Sequence, residues 1–326
     1  MGFFAASVGL NCVYCHVPES LQDWKRFADD VPRKRMARNM IAMVNTINKT
    51  NFGGRPVITC YSCHHGNERP KDIPSLAEQY GTPEEDPNEI EIPPEPPAGP
   101  TAAQVLDRFV AAAGSARHTS IVAKGTYEGY ETYHEKVPFE LYAKAPAQLR
   151  AVIHTQNGDS TSVFDGREGW IASPSNPVLL LPLAAGAELD GARFDAQLFF
   201  PAEIKQMLTQ WRSGFPITSI GDGDVQPIDG RAEGNTRIKL FFELKTGLLA
   251  RQLRYSRTAV GTNPIQIDYA DYRDVEGIKL PFRWIVTWTN GQSTYQITEI
   301  ESDRAIDSGK FVKPAPAVLA PAKPVR

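Results

Sequence analysis

Cysteine is scarce in this sequence: 326 residues hold four, Cys12, Cys15, Cys60 and Cys63, all in the first fifth of the chain. That excludes a disulfide scaffold and concentrates thiol chemistry in one short stretch. A charge excess is also lacking. With 35 basic against 38 acidic side chains, the formal net charge of −3 argues against a phosphate-neutralising surface, and no nucleic-acid partner is expected. No apolar run approaches the roughly 20 residues that span a bilayer. The C-terminal two thirds contain no G-x-S-x-G, no H-E-x-x-H and no phosphate-cradling glycine loop, and His118, His134 and His154 are scattered. At 41% hydrophobic and 22% charged, the chain is nevertheless rich enough in apolar side chains to build a core.

What is present is a repeated motif. Cys12-Val13-Tyr14-Cys15-His16 and Cys60-Tyr61-Ser62-Cys63-His64 are two copies of C-x-x-C-H, and together they use every cysteine. Thiols three positions apart on a helical turn can each form a thioether to a vinyl group of one porphyrin, while the next histidine faces the iron. A structural zinc site is the alternative for paired cysteines, and a redox disulfide a weaker one. Neither explains histidine at the same place after both pairs. His65 has no assigned role and is expected on the solvated surface.

Between the motifs, Pro32 to Asn48 carries the strongest helical pattern of the N-terminal module. Met36, Met40 and Met43 fall at i, i+4 and i+7, with Ile41, Val44 and Ile47 broadening that face. Most methionine stripes at this spacing are plain core. Next to a haem-binding turn, however, such a helix can lay a thioether over the distal face of the iron, which raises the reduction potential. Arg33, Lys34, Arg35 and Arg38 face elsewhere, near haem propionates or as a solvated charged face.

The run from Met1 through the first motif, the helix Arg38 to Asn48, and Val57 through the second motif to Gly66 together resemble the cytochrome c subunit of photosynthetic reaction centres. In its well-known form that family carries four haems in two similar pairs, and residues 1–75 are similar to one pair. The resemblance implies two covalently bound haem c groups with iron. It implies His16 and His64 as proximal ligands, Met40 as distal ligand of the Cys60/Cys63 haem, Met43 as packing, and Met1 as distal ligand of the first. The family's extra histidine in the loop after the methionine helix has no counterpart in Asn51-Phe52-Gly53-Gly54.

Haem attachment of this type takes place outside the cytoplasm, yet no export signal precedes Met1. The expectation is an N-terminally truncated piece of an exported precursor, periplasmic or extracellular.

From Asn67 to Pro100 the composition turns to proline and glutamate, so residues 76–100 are expected to be an extended linker. Residues 101–312 read as a mainly antiparallel β domain. A helix from Ala102 to Ala113 opens it, with Val105, Leu106, Phe109 and Val110 inward. Turns are expected at Asn157-Gly158, Asp165-Gly166, Asp229-Gly230, Thr246-Gly247, Glu276-Gly277 and Asn290-Gly291. A helical interruption is expected over Ala196 to Trp211, and a disordered tail over 313–326. In order and texture, best seen in Ile267 through Phe282, this part resembles the lipoprotein-carrier (Lol-type) half-barrel.

The fold class is therefore a small helical dihaem module followed by an α+β half-barrel. The function expected is electron transfer without enzymatic chemistry. Its partners would be redox proteins, among them a membrane reaction centre or other cytochromes. The alternatives are a lipid or lipoprotein carrier, with lipid in the C-terminal domain, and a structural subunit of a larger cytochrome assembly.

Overall fold

The computed structural model describes residues 2–70, 99–129, 132–174, 180–183, 186–207, 209–214, 217–220, 223–232, 235–258, 261–289 and 291–316. Met1, most of the expected linker and the tail beyond residue 316 lie outside these residues. The chain divides into two compact units, the first formed mainly by Met1–Glu85. No helix among the described residues is long and apolar enough to cross a membrane.

The first unit is helical. Helix α1 (Gly2–Val8) precedes the single-turn α2 (Cys12–Cys15), and two 3-10 turns follow at Pro18–Leu21 and Trp24–Ala28. The long α3 (Pro32–Phe52) then leads to the short α4 (Cys60–His64). Helix α3 starts on Pro32 in its first turn, where a missing N–H costs nothing. It ends at Gly53, whose φ of 61° is left-handed and terminates the helix at low cost. It thus runs one turn beyond Asn48. Helix α1 packs against α4, and α3 packs against both α2 and α4.

The tightest approach in this unit is between Gly9 and Gly66. The Gly66 N–H donates to the Ser7 carbonyl at 3.0 Å, and a Cβ on Gly9 would lie 2.1 Å from the Gly66 oxygen. Gly9 has φ 69°, so space and backbone conformation both demand glycine there.

The second unit is a 14-stranded antiparallel sheet covered by helices. Helix α5 (Ala102–Ala113) matches its expected span, with a capping box between Thr101 and Gln104. Strands β1 (Ser120–Gly129), β2 (Val137–Lys144), β3 (Gln148–Thr155), β4 (Gly158–Phe164), β5 (Gly169–Ala172) and β6 (Leu180–Pro182) form one wing. The other wing holds β7 (Thr209–Ser213), β8 (Ile217–Ile220), β9 (Gly223–Arg231), β10 (Arg237–Glu243) and β11 (Leu249–Thr258). The long strands β12 (Gly261–Val275), β13 (Ile278–Trp288) and β14 (Gly291–Ser302) join the wings, because β1 pairs with β14. The order runs β6 to β1, then β14 down to β9, then β7, with β8 beside β9. Among the described residues β6 and β7 end the path unpaired with each other, so the sheet is open.

Two expectations are corrected. Asp229-Gly230 is not a turn but lies inside β9, where Arg237 Nε donates to both Asp229 carboxylate oxygens at 3.1 and 3.0 Å. The chain reverses later, where Ala232 N–H bonds the Thr236 carbonyl and Asn235 takes φ 67°. The helical interruption is also shifted: α6 spans Ala187–Gln197, a 3-10 turn Pro201–Glu203 leads into α7 (Ile204–Met207), and Trp211 belongs to β7. Pro201 disfavours helical geometry at Phe200, which splits the expected helix.

One core joins Leu106 and Phe109 of α5, Phe194 and Ile204 to Ile238, Leu240 and Phe242 of β10. A second joins Ile121, Phe139, Leu280, Trp284 and Ile297 from the other strands.

Candidate haem-binding site

The first motif closes on itself. The His16 N–H donates to the Cys12 carbonyl at 3.0 Å, completing one helical turn, and the backbone then leaves in an extended conformation. The imidazole lies edge-on to Phe27, with ring centroids 4.8 Å apart, and Phe27 packs against Trp24. Burial, helped by the Lys34 charge, holds the His16 pKa below its ordinary value; the nearby Phe27 carbonyl opposes this. Lys34 Nζ donates to that carbonyl at 2.5 Å, and His16 Nδ1 is buried with no hydrogen-bond partner. A neutral, half-buried imidazole is the form that ligates a metal.

The second motif is better anchored. Thr59 caps α4, its side chain accepting from Ser62 N–H while Ser62 Oγ accepts from Thr59 N–H at 3.0 Å. His64 Nδ1 lies 3.0 Å from the Asn67 carbonyl. A carbonyl only accepts, so Nδ1 carries the proton and the Nε2 lone pair is left for a metal. Burial raises the Cys60 thiol pKa. His65 has a structural part that the sequence did not show: it takes the left-handed C-cap position, φ 47°, and its ring packs on Tyr61 at 5.4 Å.

On α3 the methionines are not core. Met36, Met40 and Met43 are 57%, 37% and 46% exposed, whereas the packed stripe runs through Ala37, Ile41, Val44 and Asn48. The basic side chains of its first turns are used locally. Arg33 lies 3.6 Å over the Tyr14 ring and donates to the Tyr14 carbonyl, and Lys34 holds the Phe27 and Asp29 carbonyls. Arg35 and Arg38 pair with Asp30, whose pKa they lower. These contacts tie α3 to residues 14–30. Tyr14 also donates to Glu68, joining the first motif to the turn after the second.

Thus Cys12, Cys15 and His16 share one turn, and Cys60, Cys63 and His64 another, with α3 packed against both. Met40 is on that helix; Met1 lies outside the described residues. The donor set fits two haem c groups: a thiol pair and a ligand-competent histidine at each turn, and thioethers presented on the helix between them. It does not fit one four-cysteine zinc site, because no three of these thiols and imidazoles converge among the described residues.

The described cluster that does converge, His118, Glu276 and Asp303, is in the second unit. His118 Nδ1 lies 2.7 Å from an Asp303 carboxylate oxygen and Nε2 3.2 Å from the Glu276 carbonyl, so both ring nitrogens are already engaged. Thr119 N–H and then His118 pull the Asp303 pKa down to about 2. The second unit also holds a cavity of about 180 Å³ whose lining includes Phe139, Phe199, Tyr269, Trp284 and Tyr295.

No curated protein sequence matches the chain. Among solved structures, it is similar to a LolA superfamily protein from Nitrosomonas europaea, at 15% identity and TM-score 0.46, covering 66% of this chain and 99% of that one. A DUF1329 family protein from Desulfovibrio piger is similar at 10% identity and TM-score 0.44, covering 65% and 95%. An outer membrane lipoprotein-sorting protein domain from Vibrio parahaemolyticus is similar at 8% identity and TM-score 0.42, covering 64% and 94%. Residues 11–90, which hold both C-x-x-C-H turns and the methionine helix, match the family described as the photosynthetic reaction centre cytochrome C subunit.

Proposed function

We propose that this chain is a two-haem c-type cytochrome that works outside the cytoplasm as a one-electron carrier. The observation that carries the reading is the pair of C-x-x-C-H turns, each ending in a histidine with an imidazole nitrogen suited to a metal. Cys12 and Cys15, and Cys60 and Cys63, are the thioether positions; His16 and His64 are the proximal ligands. Met40 is the distal ligand of the Cys60/Cys63 site, and Met1 that of the first. When bound, an iron held by histidine and thioether exchanges single electrons at a raised potential and needs no substrate chemistry. The residues around it orient and desolvate: Asn67 fixes the His64 tautomer, Phe27 packs His16 and is itself backed by Trp24, and Lys34 and Arg33 hold the intervening loop to α3. Its partners are other redox proteins, a membrane reaction centre or further cytochromes among them.

The second unit serves as a docking or packing platform in this reading. Its aromatic-lined cavity of about 180 Å³ lies beside others of about 280 and 700 Å³, so volume alone does not choose between this platform and an acyl-chain carrier. A reductive titration of protein made in cells competent for cytochrome maturation tests the proposal. Two electrons per chain are expected, taken up with c-type difference spectra. A preparation that takes up none contradicts it, and stoichiometric co-purified lipid would favour the carrier alternative.

A further inference from the structure

Asn48 is 6% exposed, near the C-terminal end of α3, where its side chain meets the segment that enters α4. Its amide makes two hydrogen bonds to one residue: Nδ2 donates to the Ile58 carbonyl at 2.7 Å, and Oδ1 accepts from the Ile58 N–H at 2.9 Å. A carbonyl and an N–H presented side by side admit only one orientation of the amide, so the group is locked. The side chain imitates a neighbouring backbone strand. Asn48 is two turns beyond Met40 and one beyond Val44, the other fully packed position of α3, and Ile58 is two residues before Cys60. Residues between Phe52 and Ile58 include two glycines of positive φ and make no other side-chain bond to α3 except Arg55 to the Phe52 carbonyl. The clamp is thus the polar link that sets where the second cysteine turn stands relative to the helix bearing the methionines.

We infer that Asn48 is the positioning residue for distal ligation at the Cys60/Cys63 haem: it holds α3 and α4 at the separation at which the Met40 thioether reaches the iron. Resting on the haem reading above, the inference adds a residue that neither ligates nor attaches the group. A thioether bond to iron tolerates little displacement, because it is a weak axial ligand that other donors replace. The amide is also the sole group that satisfies both Ile58 backbone atoms among the described residues, so truncating it leaves the segment free to drift.

The test compares wild type with Asn48→Ala and Asn48→Asp. Readouts are acid-stable intact mass, the thioether-to-ferric-iron charge-transfer band, and carbon monoxide binding to the reduced protein. Asn51, which is exposed and bonds only its own helix at the Ile47 carbonyl, supplies the control Asn51→Ala. In Asn48→Ala both haems are expected to stay covalently attached, while about half the charge-transfer band is lost and one haem per chain becomes accessible to carbon monoxide. Asn48→Asp keeps the acceptor for Ile58 N–H but not the donor, and is expected to fall between. Asn51→Ala should match wild type. An Asn48→Ala protein with two attached haems, an undiminished band and no carbon monoxide binding overturns the inference and leaves the haem reading standing. A wild-type chain with no attached haem overturns both. If Asn48→Ala does not accumulate, the band and carbon monoxide binding of Asn48→Asp decide: identity with wild type overturns the inference.

Discussion

The two units bury their apolar side chains to very different degrees. In the sheet unit Phe139, Phe164, Phe194, Phe241, Phe242 and Phe311 are almost fully enclosed, and among its described residues only Tyr133 and Val312 are exposed large apolar side chains. The helical unit is far shorter, yet Leu21, Trp24, Met36, Met40, Met43, Val57 and Tyr61 are exposed, and among its described residues only Phe3 and Val44 are buried apolar side chains. A sheet with helices across it makes its own core from the polypeptide. A unit of one long helix and a few short turns buries far less, and small folds of this kind commonly draw stability from covalent or metal-centred groups. The lesson is that the sheet unit encloses its own large apolar side chains, whereas the helical unit leaves most of its large ones outside any core of its own.

The first expected effect follows from that contrast. Replacing Cys12, Cys15, Cys60 and Cys63 by alanine should cost α3 at least about 100-fold of its amide-exchange protection, or about 2.7 kcal/mol locally. Strands β1 and β14 should exchange as before. Equal protection of α3 in the two proteins, read by hydrogen–deuterium exchange, would show that the helical unit stands alone.

The converse substitution comes next. Phe242 is 1% exposed with its ring 5.3 Å from Phe109. Phe242→Ala should destabilise the sheet unit by about 3–5 kcal/mol in urea unfolding while haem content stays unchanged. A loss of haem in this variant would mean that the units are not independent.

Within the helical unit, Met40→His is expected to keep the second haem attached and lower its potential, by a fraction of the roughly 0.8 V that axial ligands span. The more exposed Met36, replaced by alanine, should shift neither potential. An unchanged potential in Met40→His, measured by redox titration, would move the distal role to Met43.

The smallest effect is electrostatic and belongs to the sheet unit. The folded pKa of Asp303 is depressed to about 2 from an ordinary 3.8. Its ionised form is therefore favoured by folding, and that stabilisation is present above about pH 4 and lost as the pH falls towards 2. Asp303→Asn should flatten the acid limb of the stability curve over that window. An acid limb identical to wild type would show that the Thr119 and His118 contacts contribute nothing to it.

Much of this was legible from the sequence where the determinants are local. The C-x-x-C-H turns, the span of α5 and the two-residue hairpin at Glu276-Gly277, with φ 48° and 92°, each depend on a few consecutive residues. Asp229-Gly230 misled because the aspartate answers a cross-strand arginine, Arg237, and not a turn. Ala196 to Trp211 misled because apolar side chains recur there across a proline-broken turn and a strand, so periodicity averaged two structures. The methionine face of α3 was visible, but its exposure was not, since the buried stripe beside it is completed by a polar residue. Asn48 itself gave no signal: its worth lies in reaching Ile58, ten residues away, and no local rule marks an asparagine in a helix as a clamp.

The central claim is that this polypeptide carries porphyrin iron bonded through sulfur at two places. Intact mass spectrometry after acid extraction, on protein exported by cells competent for cytochrome maturation, tests it most directly. The account predicts the polypeptide plus two haems, falling to one haem in Cys60→Ala/Cys63→Ala. The bare polypeptide mass in the wild type would contradict it.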